Sequence, residues 1–186
     1  MFIQTESTPN PATLKFLPGL AVLAAGTADF PSEEAAVTSP LARRIFGAGG
    51  VSGVFFGPDF VTVTKSDDAD WAHIKPGILG AIMEHFQSDQ PVMSGADGAV
   101  DHATHSGPDE EIVIQIKELL DTRVRPAVAQ DGGDITFHGF DRGVVYLHMQ
   151  GACAGCPSST MTLKMGIENL LRHYIPEVTE VRPVAI

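Results

Sequence analysis

Only two cysteines occur among the 186 residues, and they lie three positions apart, as Cys153 and Cys156 in the segment Gly151-Ala-Cys-Ala-Gly-Cys-Pro157. Two thiolates supply half of the ligand set of a tetrahedral zinc ion or an iron–sulfur cluster, both of which usually take four ligands. A chain with half a site either carries out thiol redox chemistry or binds metal together with a second copy of itself. The fold must therefore present this pair at a surface that another molecule can reach.

Length and composition limit the other possibilities. The chain is long enough for two domains of about 80 to 100 residues, and an apolar share of 44% is sufficient to bury a core without disulfides. A net charge of −11 argues against nucleic acid or an anionic membrane as a partner. The first residues do not resemble a signal peptide, and no apolar run is long enough to span a membrane. A reducing compartment, and specifically the cytoplasm, is expected.

A change of composition divides the chain. Residues 89–107 are rich in Gly, Ser, Asp and Ala and have no apolar periodicity, which is typical of a flexible linker. We therefore expect an N-terminal domain at 1–88 and a C-terminal domain at 108–186. His102 and His105 lie in the linker, where a metal-binding role is less favoured than a simple polar one.

The N-terminal part shows α+β signals and no motif for chemistry. Strands are expected at 3–6 and 13–17, and Ser39-Pro40 indicates a helix that begins there and stops at Gly47. Residues 51–56 and 60–65 predict a hairpin. A helical pattern covers 71–86, although Pro76 should kink or delay that helix. The aromatic residues are expected in the core: Phe55, Phe56, Phe60 and Trp71.

The C-terminal part predicts the order α-β-β-α-β. An apolar stripe follows Pro108 and is kinked or ended by Pro126. The turn at 131–134 contains two glycines that are free to take positive φ. Two hairpin strands at 135–140 and 144–149 lead to the cysteines, and a final strand is expected within 178–184. The helix between them should run from 157 to 174 with these residues in the core: Leu163, Ile167, Leu170, Leu171 and Tyr174.

The cysteines should therefore lie between the end of a strand and the start of a helix. Pro157 suits the first helical position, which places Cys156 near the N-cap, where the helix dipole stabilises a thiolate or an anionic cluster. Hydroxyl donors to sulfur are expected from the next three residues, Ser158, Ser159 and Thr160. Because residues 151, 152, 154 and 155 are all small, nothing bulky should shield the sulfurs, and a second subunit can approach closely.

Three other interpretations of the pair stay open. A dithiol oxidoreductase also carries CxxC at a helix start, but a thioredoxin-like fold approaches it through a β-α-β unit, whereas a hairpin is expected here. A zinc site and inert buried thiols are the others. His148 and His138 lie on the two hairpin strands, and either is a conceivable further ligand, although a packing or surface role is favoured by the alternation of the strand.

The segment 151–164, together with Arg125-Pro126 and Asp131-Gly-Gly-Asp134 upstream, closely resembles the C-terminal domain of NifU that is shared by Nfu-type iron–sulfur scaffold and carrier proteins. The segment 4–11 and Leu14-Lys15-Phe16 resemble the separate Nfu N-terminal domain. Together the two resemblances cover nearly all of the chain outside the linker. An A-type-carrier-like domain and the catalytic scaffold domain of full-length NifU are both missing from the sequence.

The resemblance implies a function. Cys153 and Cys156 from two chains would hold one [4Fe–4S] cluster across a dimer axis, and a [2Fe–2S] cluster also takes four thiolates. The cluster would come from an upstream assembly scaffold and pass to apo iron–sulfur client proteins, with the N-terminal domain assisting recognition. Such a protein is a carrier and not an enzyme. The lack of a visible presequence favours a bacterial cytoplasm, or the mitochondrial matrix if a presequence has been removed.

Overall fold

The computed structural model describes residues 1–94, 109–154 and 157–184, with the side chains of residues 157–159 excepted. The chain divides into two compact units, one on each side of the gap at 95–108. Each unit combines helices with its own sheet, which confirms the predicted α+β class. No helix within the described residues is both long and apolar enough to cross a membrane.

The first unit is a five-stranded antiparallel sheet with two helices against one face. Its strands and α-helices in chain order are β1 Gln4–Ser7, β2 Thr13–Leu17, β3 Ala28–Phe30, α1 Pro40–Phe46, β4 Val51–Phe56, β5 Val61–Lys65 and α2 Trp71–Gln87. The strand order in the sheet is β1-β2-β5-β4-β3, and the predicted hairpin is present as β4 and β5.

One face of this sheet carries the main core. Alternate residues of the central strands meet the apolar sides of α1 and α2, and the buried set includes Phe16, Val54, Phe56, Val61, Val63, Ile45, Ile78 and Ile82. Phe55 and Phe60 are also buried, as expected, with ring centroids 6.1 Å apart. Trp71 was expected in the core but is only partly buried at its edge, and its Nε1 donates a hydrogen bond to the carbonyl of Pro11 at 3.2 Å.

Helix α2 begins earlier than Pro76 suggests. Asp70 caps it by accepting a hydrogen bond from Ala72 N at 2.9 Å, and the helix then runs through Pro76 to Gln87. The expectation of a delayed start was therefore wrong. A proline removes one intrahelical hydrogen bond, and here the cap and the burial of Ile74, Ile78 and Ile82 offset that loss.

The segment after α2 belongs to the first unit. Ser39 accepts a hydrogen bond from Ala42 N at 3.1 Å and so caps α1, as its sequence predicts, while its hydroxyl also donates to the carbonyl of Val92 at 2.6 Å. Ser94 N donates to the carbonyl of Thr38 at 2.7 Å. The start of the predicted linker, up to Ser94, is thus packed on the first unit, and the rest of it lies outside the described residues.

The second unit has the predicted order of elements. They are α3 Glu110–Leu119, a π-helical turn Leu120–Val124, α4 Arg125–Gln130, β6 Gly133–Asp141, β7 Val144–Gly151, α5 Pro157–Tyr174 and β8 Glu180–Val184. Pro126 does not end the helix. The chain instead continues through the π turn, which accommodates the missing N–H of Pro126 at the second position of α4.

The second sheet has the order β6-β7-β8. Strands β6 and β7 form an antiparallel hairpin through Arg142 and Gly143, both of which have positive φ, as a tight two-residue turn requires. Strand β8 pairs parallel to β7, so that α5 is the crossover of a β-α-β unit. One face of the sheet packs on the helices, through residues that include Ile135, Leu147, Met149, Ile167, Leu171 and Val181.

Replacing Ser39 by alanine should remove both the α1 cap and the bond to Val92. Because Ser39 is fully buried, we expect the free energy of unfolding of the first unit to fall by about 1–2 kcal/mol in urea titrations. Ser32→Ala is the matched control, since Ser32 accepts only a long, exposed bond from Ala35 N at 3.3 Å and should cost less than about 0.5 kcal/mol. Equal losses in the two variants would contradict this account of Ser39.

Candidate metal centre

The cysteine segment continues directly from the hairpin. Gly151 at the end of β7 pairs with Gly133 at the start of β6, and Ala152 N donates to the carbonyl of Gly132 at 3.2 Å. Cys153 follows immediately, so the hairpin fixes its position. Cys156 lies outside the described residues, and α5 begins at Pro157, where the sequence predicts a helix start.

Gly133 provides the space that the Cys153 sulfur occupies. A Cβ atom on Gly133 would lie 2.5 Å from Cys153 Sγ and 2.9 Å from the carbonyl oxygen of Gln150, distances that atoms do not reach without a shift of the backbone. Of the two glycines in this turn, only Gly132 takes a positive φ, at 80°. The positive φ of Gly132 therefore allows the turn, and the missing side chain of Gly133 allows the cysteine segment to approach β6 closely.

The Cys153 thiol is buried, which corrects the expectation that nothing would shield the sulfurs. Its residue is 6% exposed and belongs to the core of the second unit. The position above Gly133, which a side chain there would fill, encloses this sulfur although its sequence neighbours are small. Burial raises the pKa of Cys153 from 9.0 to about 12, and the carboxylates of Asp131 and Asp134 add to this shift.

An ion pair lies directly beside the glycine that holds the sulfur. Arg125 donates to both carboxylate oxygens of Asp134, with Nε–Oδ1 and Nη2–Oδ2 distances of 2.9 and 3.0 Å, and its third nitrogen reaches Asp121 at 3.1 Å. Asp134 is 3% exposed and also accepts a hydrogen bond from Ile135 N. A bidentate pair of this kind fixes geometry as well as charge, so it anchors α4 to the start of β6.

Of the three hydroxyl groups predicted to donate to sulfur, only that of Thr160 lies within the described side chains, and it acts differently. Thr160 Oγ1 donates to the carbonyl oxygen of Cys153 at 3.1 Å. It thereby ties the first turn of α5 back to the cysteine segment. The side chains of Ser158 and Ser159 are outside the described residues.

Among the described residues, His148 and His138 do not complete a ligand set with Cys153. His148 is half-buried on the sheet face opposite to Leu147 and Met149, with Nδ1 3.4 Å from the carbonyl oxygen of Val184. His138 is exposed at a bulge of β6, and His102 and His105 lie outside the described residues. Within residues 1–94, 109–154 and 157–184, no group of three or more potential ligands is placed to hold a metal ion.

The antiparallel hairpin of β6 and β7 leads directly into the cysteine segment, as predicted, whereas a thioredoxin-like fold approaches its CxxC through a β-α-β unit. The β-α-β unit of this chain, β7-α5-β8, contains the cysteine segment and does not precede it. Cys153 is not in the state of an attacking cysteine, which is partly exposed and has a lowered pKa, because it is buried and burial raises its pKa. Disulfide exchange and metal binding both use the thiolate, so each requires Cys153 to leave this state.

Both units match known protein families. Residues 3–89 match the family described as "Scaffold protein Nfu/NifU N terminal", and residues 116–182 match the "NifU-like domain". The human protein named "NFU1 iron-sulfur cluster scaffold homolog, mitochondrial" is 52% identical over 185 residues, a match that covers 99% of this chain and 72% of the human one. The chain belongs to the Nfu family.

Further relatives agree with this assignment. "NifU-like protein 5, mitochondrial" of Arabidopsis thaliana is 56% identical over 96% of the chain. The chain spans 66% of the length of that plant protein and 64% of "NifU-like protein 4, mitochondrial". A solution structure of a NifU-like protein from Saccharomyces cerevisiae aligns with 52% of this chain and 87% of its own, with 29% identity and a TM-score of 0.47. By their names, the human relative is a mitochondrial iron–sulfur cluster scaffold homolog, and the two plant relatives are mitochondrial NifU-like proteins.

Adding a methyl group at Gly133 should push Cys153 out of its buried position. We expect Gly133→Ala, made in a Cys156→Ser background so that one thiol remains, to raise the iodoacetamide alkylation rate of Cys153 at least roughly tenfold, because the exposed thiol also regains an ordinary pKa. Gly166→Ala is the control, since a Cβ there meets nothing within 4 Å. An unchanged rate in Gly133→Ala would show that Gly133 does not control the burial of the sulfur.

The raised pKa of Cys153 also predicts a pH dependence of stability. Above pH 9 the unfolded chain loses the thiol proton, while the folded chain keeps it up to about pH 12, so ionisation favours unfolding in this window. Compared with Cys153→Ala, the free energy of unfolding should fall by an additional ~1.4 kcal/mol per pH unit above about pH 9. Urea titrations at pH 8 to 10.5 measure this difference, and parallel curves for the two proteins would contradict it.

Proposed function

We propose that this chain is an iron–sulfur cluster carrier in which Cys153 and Cys156 of two copies hold one [4Fe–4S] cluster. The support is the donor set: two soft thiol ligands per chain, doubled by a two-fold axis, supply the four that a cluster takes. The family membership and the names of its relatives support a cluster as the cargo. A [2Fe–2S] cluster satisfies the same donor count.

The described part of the site supports this cargo through the chemistry of its thiol. Cys153 lies at the end of a strand on a glycine, and its neighbours 151, 152 and 154 are small. Thiolates bind iron, so each thiol loses its proton on loading. Since Cys153 is buried and protonated when it rests on Gly133, binding requires its sulfur to leave that position.

Delivery then follows as ligand exchange. Thiolates of an apo client replace those of Cys153 and Cys156 on the iron atoms, and the carrier thiols take up protons as they return to the unliganded form. This exchange of ligands needs no oxidation or reduction, and it breaks no covalent bond of the client protein. The chain accordingly acts as a carrier and not as an enzyme, with an upstream scaffold as the donor and apo-proteins as the acceptors.

The remaining parts of the proposal concern organisation and place. The two units are proposed as separate domains at 1–88 and 108–186, with a linker within 89–107, and the contacts of residues 90–94 with the first unit support a start of the linker after Ser94. The N-terminal domain is proposed to assist client recognition. The names of the relatives favour a mitochondrial matrix over a bacterial cytoplasm.

Anaerobic reconstitution with iron and sulfide tests the proposal directly. We expect about four irons and four sulfides per two chains, in a species of dimer size whose cluster is lost to a chelator or an apo-enzyme. Iron and sulfide analysis with Mössbauer spectra on size-separated fractions measures this. A monomer that takes up no iron but cycles between dithiol and disulfide would establish the oxidoreductase instead.

Removing either cysteine should abolish cluster binding. We expect Cys156→Ser and Cys153→Ala to retain less than about a tenth of the iron of the unmodified chain, since a bridging site then loses two of its four ligands. Alanine is chosen at 153 because a serine hydroxyl in that buried position would be unpaired. His148→Ala is the control and should keep its full iron content, and iron loss in it would make His148 a ligand.

A further inference from the structure

One histidine of the first unit is buried without a hydrogen bond. His85 lies in the last turn of α2 and is fully buried, and neither Nδ1 nor Nε2 has a hydrogen-bond partner among the described residues. Its ring meets that of Phe86 edge to face, with 5.6 Å between the centroids. An imidazole that leaves water without gaining a hydrogen bond costs free energy that a phenyl ring in the same place would not. Packing alone therefore does not explain a histidine at this position.

A metal ion does not explain the two unpaired nitrogens either. A histidine ligand shares its metal with further histidine, cysteine or carboxylate ligands. In the described parts of the chain, no three such side chains come together. The remaining chemistry of an imidazole near neutral pH is the uptake of a proton. The surroundings of His85 determine what that proton does.

The chain that leaves α2 turns back toward the start of α1 and closes over this region. We call residues 88–94 the tail segment. Asp89 has a positive φ of 56°, which reverses the chain after the helix, and residues 88–91 are exposed. Exposed backbone held by few bonds opens locally at a low free energy. Three hydrogen bonds hold the segment on the first unit: Ser39 Oγ to Val92 O at 2.6 Å, Ser94 N to Thr38 O at 2.7 Å, and Arg44 Nη2 to Gln90 Oε1 at 3.3 Å.

A positive charge already stands near His85. The charge of Arg44 on α1 acts on the imidazole, while the guanidinium itself is paired with Glu84 of α2 at 3.1 Å. Asp89 is the charged residue of the tail segment, and Glu33 and Arg43 line a groove together with Arg44 and Gln90. None of these carboxylates makes a hydrogen bond with the imidazole. A proton on His85 would therefore add a buried cation that no anion contacts through a hydrogen bond.

The closed tail segment consequently disfavours the protonated ring. Burial and the charge of Arg44 lower the pKa of His85 below its ordinary value of 6.5, and the backbone of Gln90 opposes this shift. When the segment opens, water reaches the ring and the pKa returns toward 6.5. Because the pKa is lower in the closed form, that form is fully favoured above about pH 6.5 and loses stability as the pH falls below this value.

We propose that protonation of His85 releases the tail segment from the start of α1 while the rest of the first unit stays folded. The proton binds a ring nitrogen that is buried in the closed form and hydrated in the open form. Since the tail segment leads from the first unit toward the proposed linker, its release lengthens the free chain between the two domains. This switch goes beyond the proposed function, and it does not depend on the cluster.

Amide hydrogen exchange of the full chain tests the switch. Ser94 N reports closure through its bond to Thr38 O, and its protection factor is measured by NMR relative to the intrinsic exchange rate at the same pH. We expect this factor to fall toward a limit of roughly tenfold between about pH 7.5 and about pH 5.5, as proton uptake by a group with an open-form pKa near 6.5 requires. Val63, in the central strand β5, should keep its protection because the core stays closed.

Replacing His85 by phenylalanine removes the titrating group and keeps an aromatic ring in the buried position. In His85→Phe, the protection factor of Ser94 should vary by less than about twofold over the same pH range. His73→Phe is the matched control, because His73 is exposed on the same helix and the same substitution there should leave the fall intact. Melting temperatures at neutral pH establish that both variants fold. An NMR titration of the His85 ring in the unmodified chain needs no variant, and a midpoint at or above 6.5 would contradict the switch.

Other results would also overturn the inference. A constant protection factor of Ser94 in the unmodified chain would show that no opening is coupled to a proton. The same fall in His85→Phe would assign the proton to another group, and an equal fall at Val63 would show that acid unfolds the whole unit. Cluster uptake is measured separately by iron analysis. A chain that shows the switch but takes up no iron would therefore lose the proposed function and keep this inference.

Discussion

The packing of the second unit depends on the absence of a side chain at Gly133. Because no side chain stands there, the end of β7 and the following cysteine segment lie directly on the start of β6, and the Cys153 sulfur enters the core. The hydrogen bond from Ala152 N to Gly132 and the one from Thr160 to Cys153 hold the same segment from both sides. The Arg125–Asp134 pair fixes the adjacent backbone to α4. Sheet, helix and thiol are thus joined at one point.

This arrangement affects how a thiol of this kind binds metal. In the unliganded chain Cys153 is stabilised as a buried, protonated side chain, so under the proposed function a cluster competes with the protein's own core for the sulfur. The apparent affinity is then lowered by the fraction of chains in which the sulfur is free. A carrier benefits from this, since the return of Cys153 to Gly133 favours release of the cargo to a client with preformed ligands.

Local sequence signals predicted most of the elements, whereas contacts between distant segments were not predictable from them. Residues close in sequence determine the helix start at Ser39-Pro40, the turn at Arg142-Gly143 and the extent of α5, and the structure agrees on all three. The burial of Cys153 depends on Gly133 in another strand, and small neighbours alone suggested exposure. Tyr174 has the period of a core residue, but it is 47% exposed and stacks on Arg123, with 5.2 Å between Cζ and the ring centroid. The position of Cys156 stays a prediction.

The π turn at Leu120–Val124 sets the direction in which Arg125 points. A π turn amounts to one residue inserted into an α-helix, and each residue of an α-helix turns the chain by about 100°. The wider π turn takes up the extra residue within itself, so Arg125 stays on the side of the helix that faces Asp134. This turn is therefore where the helix can gain or lose one residue with least disturbance to the Arg125–Asp134 pair.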